Sequence, residues 1–206
     1  MASEPGILAV WNDADPAGEA EYEAWYEAEH LPERVGVPGF RFGRRYRNLA
    51  DHASPRYFTF YETDSLGTLT SPDYLARLDD PTEWTQRIMP VFQGMHRTAC
   101  ALRVRVGNEL GEFAAVATLT EGDSVMGQIP GLAAADDIAT VQLWQADPET
   151  TDVDAKEMAY REGEDSMAEW VLFVGAASAG ALDALDLPGD ALGRFRLMTE
   201  LTNKAE

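Results

Sequence analysis

The stretch Trp25-Tyr26-Glu27-Ala28-Glu29-His30-Leu31-Pro32-Glu33-Arg34 decides how the chain is read, because it sets a histidine and a carboxylate beside large aromatics at the end of one predicted helix. Upstream, Asp15 can cap free backbone donors, Pro16 suits the first helical position, and Glu19 and Glu21 favour the positive end of the dipole. Pro32 marks the expected stop, since it brings no amide hydrogen. At about 100° per residue, Tyr22, Trp25 and Tyr26 share a face, Glu29 falls within it and His30 lies on its edge. Solvation at a helix end, where the dipole favours a cation, would account for Glu29 and His30 without any function. The functional arrangement instead packs the aromatic stripe on a sheet and points His30 at the mouth of a cavity. Histidine is there the natural proton carrier near neutral pH.

Around this helix the pattern turns to strands. Residues 6–12 read as one, and in 40–46 Phe40, Phe42, Arg44 and Tyr46 alternate with Arg41, Gly43, Arg45 and Arg47, an aromatic face against a basic one. Residues 56–62 are rich in aromatics and threonine, which suit a strand. Ser71-Pro72 and Asp80-Pro81-Thr82-Glu83 each place a capping side chain before a first-turn proline, predicting a broken helix to about residue 92. Residues 96–106 alternate again, with His96, Thr98, Cys100 and Leu102 opposite Arg97, Ala99, Ala101 and Arg103.

The second half repeats the order more weakly. Residues 113–119, 139–144, 170–176 and 193–201 read as strands, 125–135 and 180–187 as short helical segments, and 152–167 as a very acidic helix. The chain thus divides into two repeats, 1–107 with the candidate site and 112–206 a degenerate copy. Each antiparallel sheet, covered on one face by helices, leaves its other face bare, and two such faces must cover each other. The expected fold is α+β: two facing sheets forming a barrel closed within one chain, with a small-molecule cavity between them. A further homodimer is not needed to build it.

Composition narrows the function. A net charge of −20 over 206 residues argues against nucleic acid or an anionic membrane as partner. The acidity is uneven, 11 basic against 16 acidic residues up to Gly107 and 5 against 20 beyond it. The first five residues carry no basic segment leading into an apolar core, and no apolar run is long enough to span a bilayer, so a cytoplasmic protein is expected. Cys100 is alone, which excludes an internal disulfide. The three histidines lack metal-ligand spacing, and there is no phosphate loop, nucleophile elbow or dinucleotide fingerprint. No cofactor is expected, although one histidine suffices to ligate haem, which stays open.

The element order, together with Trp25-Tyr26-Glu27-Ala28-Glu29-His30-Leu31-Pro32 leading into Val37-Pro38-Gly39-Phe40, resembles the dimeric α/β-barrel superfamily of ferredoxin-like domains. Within it the likeness is to EthD-like and related cofactor-free monooxygenase, cyclase and isomerase modules. The first half matches well, the second only in element order. The resemblance implies one acid/base candidate, His30.

Beside His30, the residues suggest Glu29 and Arg45 as catalytic partners, with Tyr26, Tyr61, Asn12, His96 and Arg44 as substrate-binding candidates. Arginine could clamp a carboxylate or enolate oxygen, and a tyrosine could donate to a carbonyl. Of Arg44 and Arg45 only one can face the cavity, and Asn12 suits a cap as well as a site. Three functions stay open. The first is proton-transfer chemistry of cyclase, isomerase, dehydratase or decarboxylase type on a small hydrophobic or aromatic carbonyl compound. The second is cofactor-free monooxygenation of an electron-rich phenol, and the third a non-catalytic binding role. Polar groups near His30 would speak against the third.

Overall fold

Alternating side chains of the first strand point into two apolar environments. In β1 (Gly6–Ala14), Ile7, Ala9 and Trp11 enter one buried cluster, and Leu8 and Val10 enter another beneath helices. The computed structural model describes residues 4–153, 155–161 and 166–204. Seven more strands follow: β2 (Phe40–Asn48), β3 (Tyr57–Thr63), β4 (Phe92–Val106), β5 (Phe113–Leu119), β6 (Ile138–Ala146), β7 (Trp170–Ala176) and β8 (Asp190–Thr202). They close an antiparallel barrel in the order β1-β3-β2-β8-β5-β7-β6-β4. The first four strands lie as β4-β1-β3-β2 and the last four as β8-β5-β7-β6, the same relative order twice. Two seams join them, β2 to β8 with Tyr46 opposite Leu197, and β4 to β6 with Cys100 opposite Ala146. The fold is therefore the expected α+β barrel, closed within one chain.

The barrel interior is filled. Tyr46, Phe58, Phe60, Trp144, Phe173 and Phe195 stack across it with ring centroids 5.1–6.5 Å apart, and Trp11 plugs one end. This corrects the expected cavity between the sheets: an eight-stranded barrel is just wide enough for its own side chains, and here large aromatics take that width. At the Trp11 end a pocket of about 190 Å³ remains, bordered by Trp11, His96, Thr118 and Leu192.

Helices cover the outer faces. Helix α1 (Glu19–Trp25) starts after a turn in which Asp15 Oδ1 accepts from Ala17 N at 2.8 Å, so Asp15 caps that turn and Gly18 takes the helix N-cap. Pro32 does not end the helix. Tyr26–His30 form a π-turn in which the Leu31 amide bonds back to the Tyr26 carbonyl, and α2 (Leu31–Val35) carries Pro32 in its first turn. The shift to i→i+5 bonding begins a fresh first turn, where a missing donor costs little. Helix α3 (Pro72–Asp79) is capped by Ser71 as expected, whereas α4 (Glu83–Ile88) is capped by Thr82, not Asp80, with Thr85 N donating to Thr82 Oγ1 at 3.0 Å.

In the second half, α5 (Asp123–Met126), α6 (Ile129–Ala133) and, later, α8 (Ala179–Asp183) bury Val125, Ile129 and Leu182 against Ala115, Leu143 and Leu172. The acidic stretch 152–167 is not one helix: α7 (Pro148–Thr151) precedes it, a 3-10 turn spans Lys156–Tyr160, and Ser166 bridges to His96. Asp154 and residues 162–165 lie outside the described residues.

Candidate active site

Between the outer face of the first-half sheet and its helices lies a cavity of about 40 Å³. Leu8, Val10 and Tyr61 come from strands, Tyr26 and His30 from the π-turn, Arg34 from α2, Tyr74 from α3 and Arg97 from β4. Glu157, Met158 and Arg161 complete the lining from the second half. Close packing of α2 on the sheet depends on Gly43, where a Cβ would stand 2.7 Å from Leu31 Cδ1 and 2.8 Å from the Tyr61 ring.

His30 is 9% exposed, its ring 4.3 Å from that of Trp25 and 4.8 Å from that of Tyr26. Its Nδ1 is buried without a hydrogen-bond partner. Burial first, and then the positive charges of Arg34, Arg45 and Arg161, hold its pKa well below the ordinary histidine value. The ring is therefore neutral at pH 7, able to accept a proton. The Tyr61 hydroxyl, a neighbour of Tyr26, is also buried with no hydrogen bond of ordinary geometry, and burial pushes its pKa well up, so it stays a donor.

Arg34 is 2% exposed and forms an ion pair with Glu157; burial is the largest influence and lowers its pKa, but Glu157 together with Tyr74 and Tyr61 turns the net shift upward. Its Nη1 has no hydrogen-bond partner. Arg97, 5% exposed, donates to the Thr151 carbonyl at 2.8 Å and the Tyr74 hydroxyl at 3.4 Å. A neutral imidazole, phenol hydroxyls and fixed cations thus surround one small apolar space. That set can take a proton from a bound molecule and hold the resulting oxyanion.

Of the residues singled out from sequence, the fold brings His30, Tyr26 and Tyr61 together here. Glu29 lies elsewhere, in the cap of α4: its Oε1 accepts from Trp25 Nε1 at 3.1 Å, Thr82 Oγ1 at 2.5 Å and Thr85 Oγ1 at 3.0 Å. Arg45 is fully buried behind the cavity rather than in its lining, its guanidinium 4.4–5.0 Å from the rings of Tyr22, Tyr26 and Tyr57. Asn12 neither caps the helix nor lines the cavity; it exchanges hydrogen bonds with the Tyr22 hydroxyl. Arg44 faces the other side of the sheet, bonded to Tyr46 and the Gly111 carbonyl and paired with Glu200. His96 stacks on Trp11 at 5.1 Å by the barrel-end pocket, away from His30.

Arg34, Tyr74, Arg97 and Glu157 were not anticipated. Arg34 could have been found, since it follows His30 by four residues; Glu157 lies 123 positions from Arg34, and no local pattern announces their pairing. Among the described residues, no three His, Cys, Asp or Glu side chains gather as a metal site, and no helix is long and apolar enough to cross a membrane.

No protein-family model matches the chain, and comparison with curated proteins gives no relative. Solved structures do share its fold. An anthrone oxidase-like protein superposes with a TM-score of 0.61 at 12% identity, covering 98% of this chain and 94% of its own. A protein assigned as a monooxygenase from Fusobacterium nucleatum gives 0.57 at 10% identity, covering 99% and 96%. A protein assigned as a chlorite dismutase gives 0.53 at 10% identity, covering 96% of each chain. These likenesses support the barrel fold; they lend no support to the finer resemblance to EthD-like modules.

Proposed function

We propose that the chain is a cofactor-independent monooxygenase acting on a small aromatic substrate with an acidic C–H or phenolic O–H. The observation that carries this reading is the neutral, buried His30, with an Nδ1 that makes no hydrogen bond, in the lining of a cavity shared with Tyr61 and two buried arginines. The monooxygenase and anthrone oxidase-like descriptions of proteins with this fold favour oxygenation over proton transfer alone. His30 takes the first proton, and the Tyr61 hydroxyl and Arg34 Nη1 hold the oxyanion that results. The electron-rich anion passes electrons to molecular oxygen. For a methylene beside an aromatic ketone, one methylene and one molecule of oxygen give one new ketone carbonyl and one water. One oxygen atom enters the substrate, and the other leaves as water with the two hydrogens of the methylene.

The polar groups about His30 argue against a barrel that only packs itself. At about 40 Å³ the cavity is well below the roughly 300–1,000 Å³ of drug-sized ligand sites, so a ring system enters by displacing the side chains contributed by 156–161. Anthrone is the probe: oxygen uptake with equimolar loss of anthrone, by a protein with no visible absorbance, is the expected result. Proton–deuterium exchange into the probe without oxygen uptake would move the chain to the proton-transfer class, and a Soret band would overturn the cofactor-free reading.

A further inference from the structure

Resting on that reading of the cavity, we infer that its substrate carries a carboxylate, and that the Glu157 side chain occupies the place this carboxylate takes on Arg34. Among the described lining residues the carboxylate is Glu157, and it is paired with the buried Arg34. A buried guanidinium demands an anion, and the planar fork of arginine matches a carboxylate in particular. Arg34 has a close, hydrogen-bonded carboxylate on one side: Nη2 is paired with Glu157, whereas Nη1 makes no hydrogen bond and has Glu33 only at the long ion-pair distance of 3.9 Å.

Together with His30 Nδ1 and the Tyr61 hydroxyl, Nη1 makes three buried polar atoms with no hydrogen bond of ordinary geometry on residues of one cavity. Buried polar groups are left unpaired where a ligand or water completes them. The anion now present does not come from the strands and helices that hold the other polar groups. It comes from the short turn Lys156–Tyr160, which the Lys156 amide ties to Asp79 Oδ1 at 3.1 Å. Withdrawing that side chain enlarges the cavity by the volume of a carboxylate and leaves Arg34 only the more distant Glu33, 3.9 Å from Nη1. Leu8, Val10, Met89 and Phe92 give the rest of the space an apolar lining suited to an aromatic body.

Benzoate and its neutral counterpart benzyl alcohol test this in calorimetric titrations of the full chain. The expected result is that benzoate binds at least tenfold more tightly than benzyl alcohol, that Glu157→Gln strengthens benzoate binding about tenfold or more, and that Arg34→Met abolishes it while Arg34→Lys restores part. His30→Gln leaves benzoate bound. Should a variant fail to fold, the melting temperature of the unaltered protein decides, rising with benzoate and not with benzyl alcohol. Equal binding of the two probes, an unchanged affinity in Glu157→Gln, or benzoate binding that survives Arg34→Met overturns the inference. Because turnover is not read, failure of the oxygenase reading leaves these outcomes intact, and anthrone oxidation with no preference for benzoate sinks this inference alone.

Discussion

Replacing His30 by glutamine separates packing from chemistry. The imidazole makes two close ring contacts, 4.3 Å to Trp25 and 4.8 Å to Tyr26, and such pairs contribute about 0.5–1.5 kcal/mol each beyond their burial. Glutamine keeps most of the volume but stacks less well, and the Nδ1 it replaces had no hydrogen bond to lose. The expected cost is about 1–2 kcal/mol, more than an edge position at a helix end would suggest, and it lowers Tm by roughly 2–8 °C in a chain of this size. Turnover should fall by about 10²–10⁴, as for a lost general base. Trp25→Ala gives the opposite pattern. It opens a hole under the helix and removes the Nε1 bonds to Glu29 and Thr85, costing about 3–5 kcal/mol and roughly 6–20 °C, while the folded fraction keeps turnover within about tenfold of normal. Scanning calorimetry and an oxygen electrode read both variants. A His30→Gln protein that retains more than a tenth of the rate, or melts as low as Trp25→Ala, refutes the reasoning and makes His30 a packing residue.

The pH dependence has a definite sign. The unfolded chain protonates His30 as pH falls through about 6.5, while burial and the neighbouring arginines delay this in the folded protein. The unfolded form therefore binds more protons in that interval, so this stabilisation is present above 6.5 and lost as pH falls below it. Urea titrations at pH 7.5 and 5.5 should show lower stability at 5.5, by a margin that shrinks in His30→Gln; an unchanged margin counts against a neutral buried ring. Tyr61→Phe removes a buried hydroxyl that makes no hydrogen bond of ordinary geometry, so stability should hold or rise by about 1 kcal/mol while turnover drops; a clear fall in Tm would mean that its contact with Tyr26 stabilises the fold. Gly43→Ala drives a methyl into Leu31 and the Tyr61 ring, at an expected cost of about 1–3 kcal/mol, and a variant that melts like the parent would show that α2 yields easily.

The first strand was legible because it alternates between two buried layers. Ile7, Ala9 and Trp11 against Leu8, Val10 and Asn12 is a period of two whichever layer holds the site. For the same reason the cavity was misplaced: apolar residues on both faces do not say which face packs fully, and the barrel interior was closed by rings from both halves, Phe58 and Phe60 meeting Trp144 and Phe173. The π-turn left no mark either, because one extra residue in a helical turn changes bonding rather than composition, so Pro32 read as a stop. Glu29 looked like a site residue because a carboxylate interrupted an aromatic stripe, whereas its partners, Thr82 and Thr85, come from a helix more than 50 positions away. His30, Tyr26 and Tyr61 could be named in advance because each lies on the helix-covered face of a recognisable element.

Closure of the barrel by β8 bears on how the chain is made. During synthesis β1 to β4 emerge first and can pair as a sheet with two free edges, β4 and β2. Strand β6 covers β4 soon afterwards, but β2 waits for the last element, from Asn48 to Asp190, roughly 7–28 seconds at 5–20 residues per second on the ribosome. A bare edge strand of that length is a template for joining other chains. Strand β2 carries Arg41, Arg44, Arg45 and Arg47 along it, and charged side chains on an edge strand discourage edge-to-edge pairing. Arg44 gains its carboxylate partner only when Glu200 arrives on β8, the strand that closes that edge.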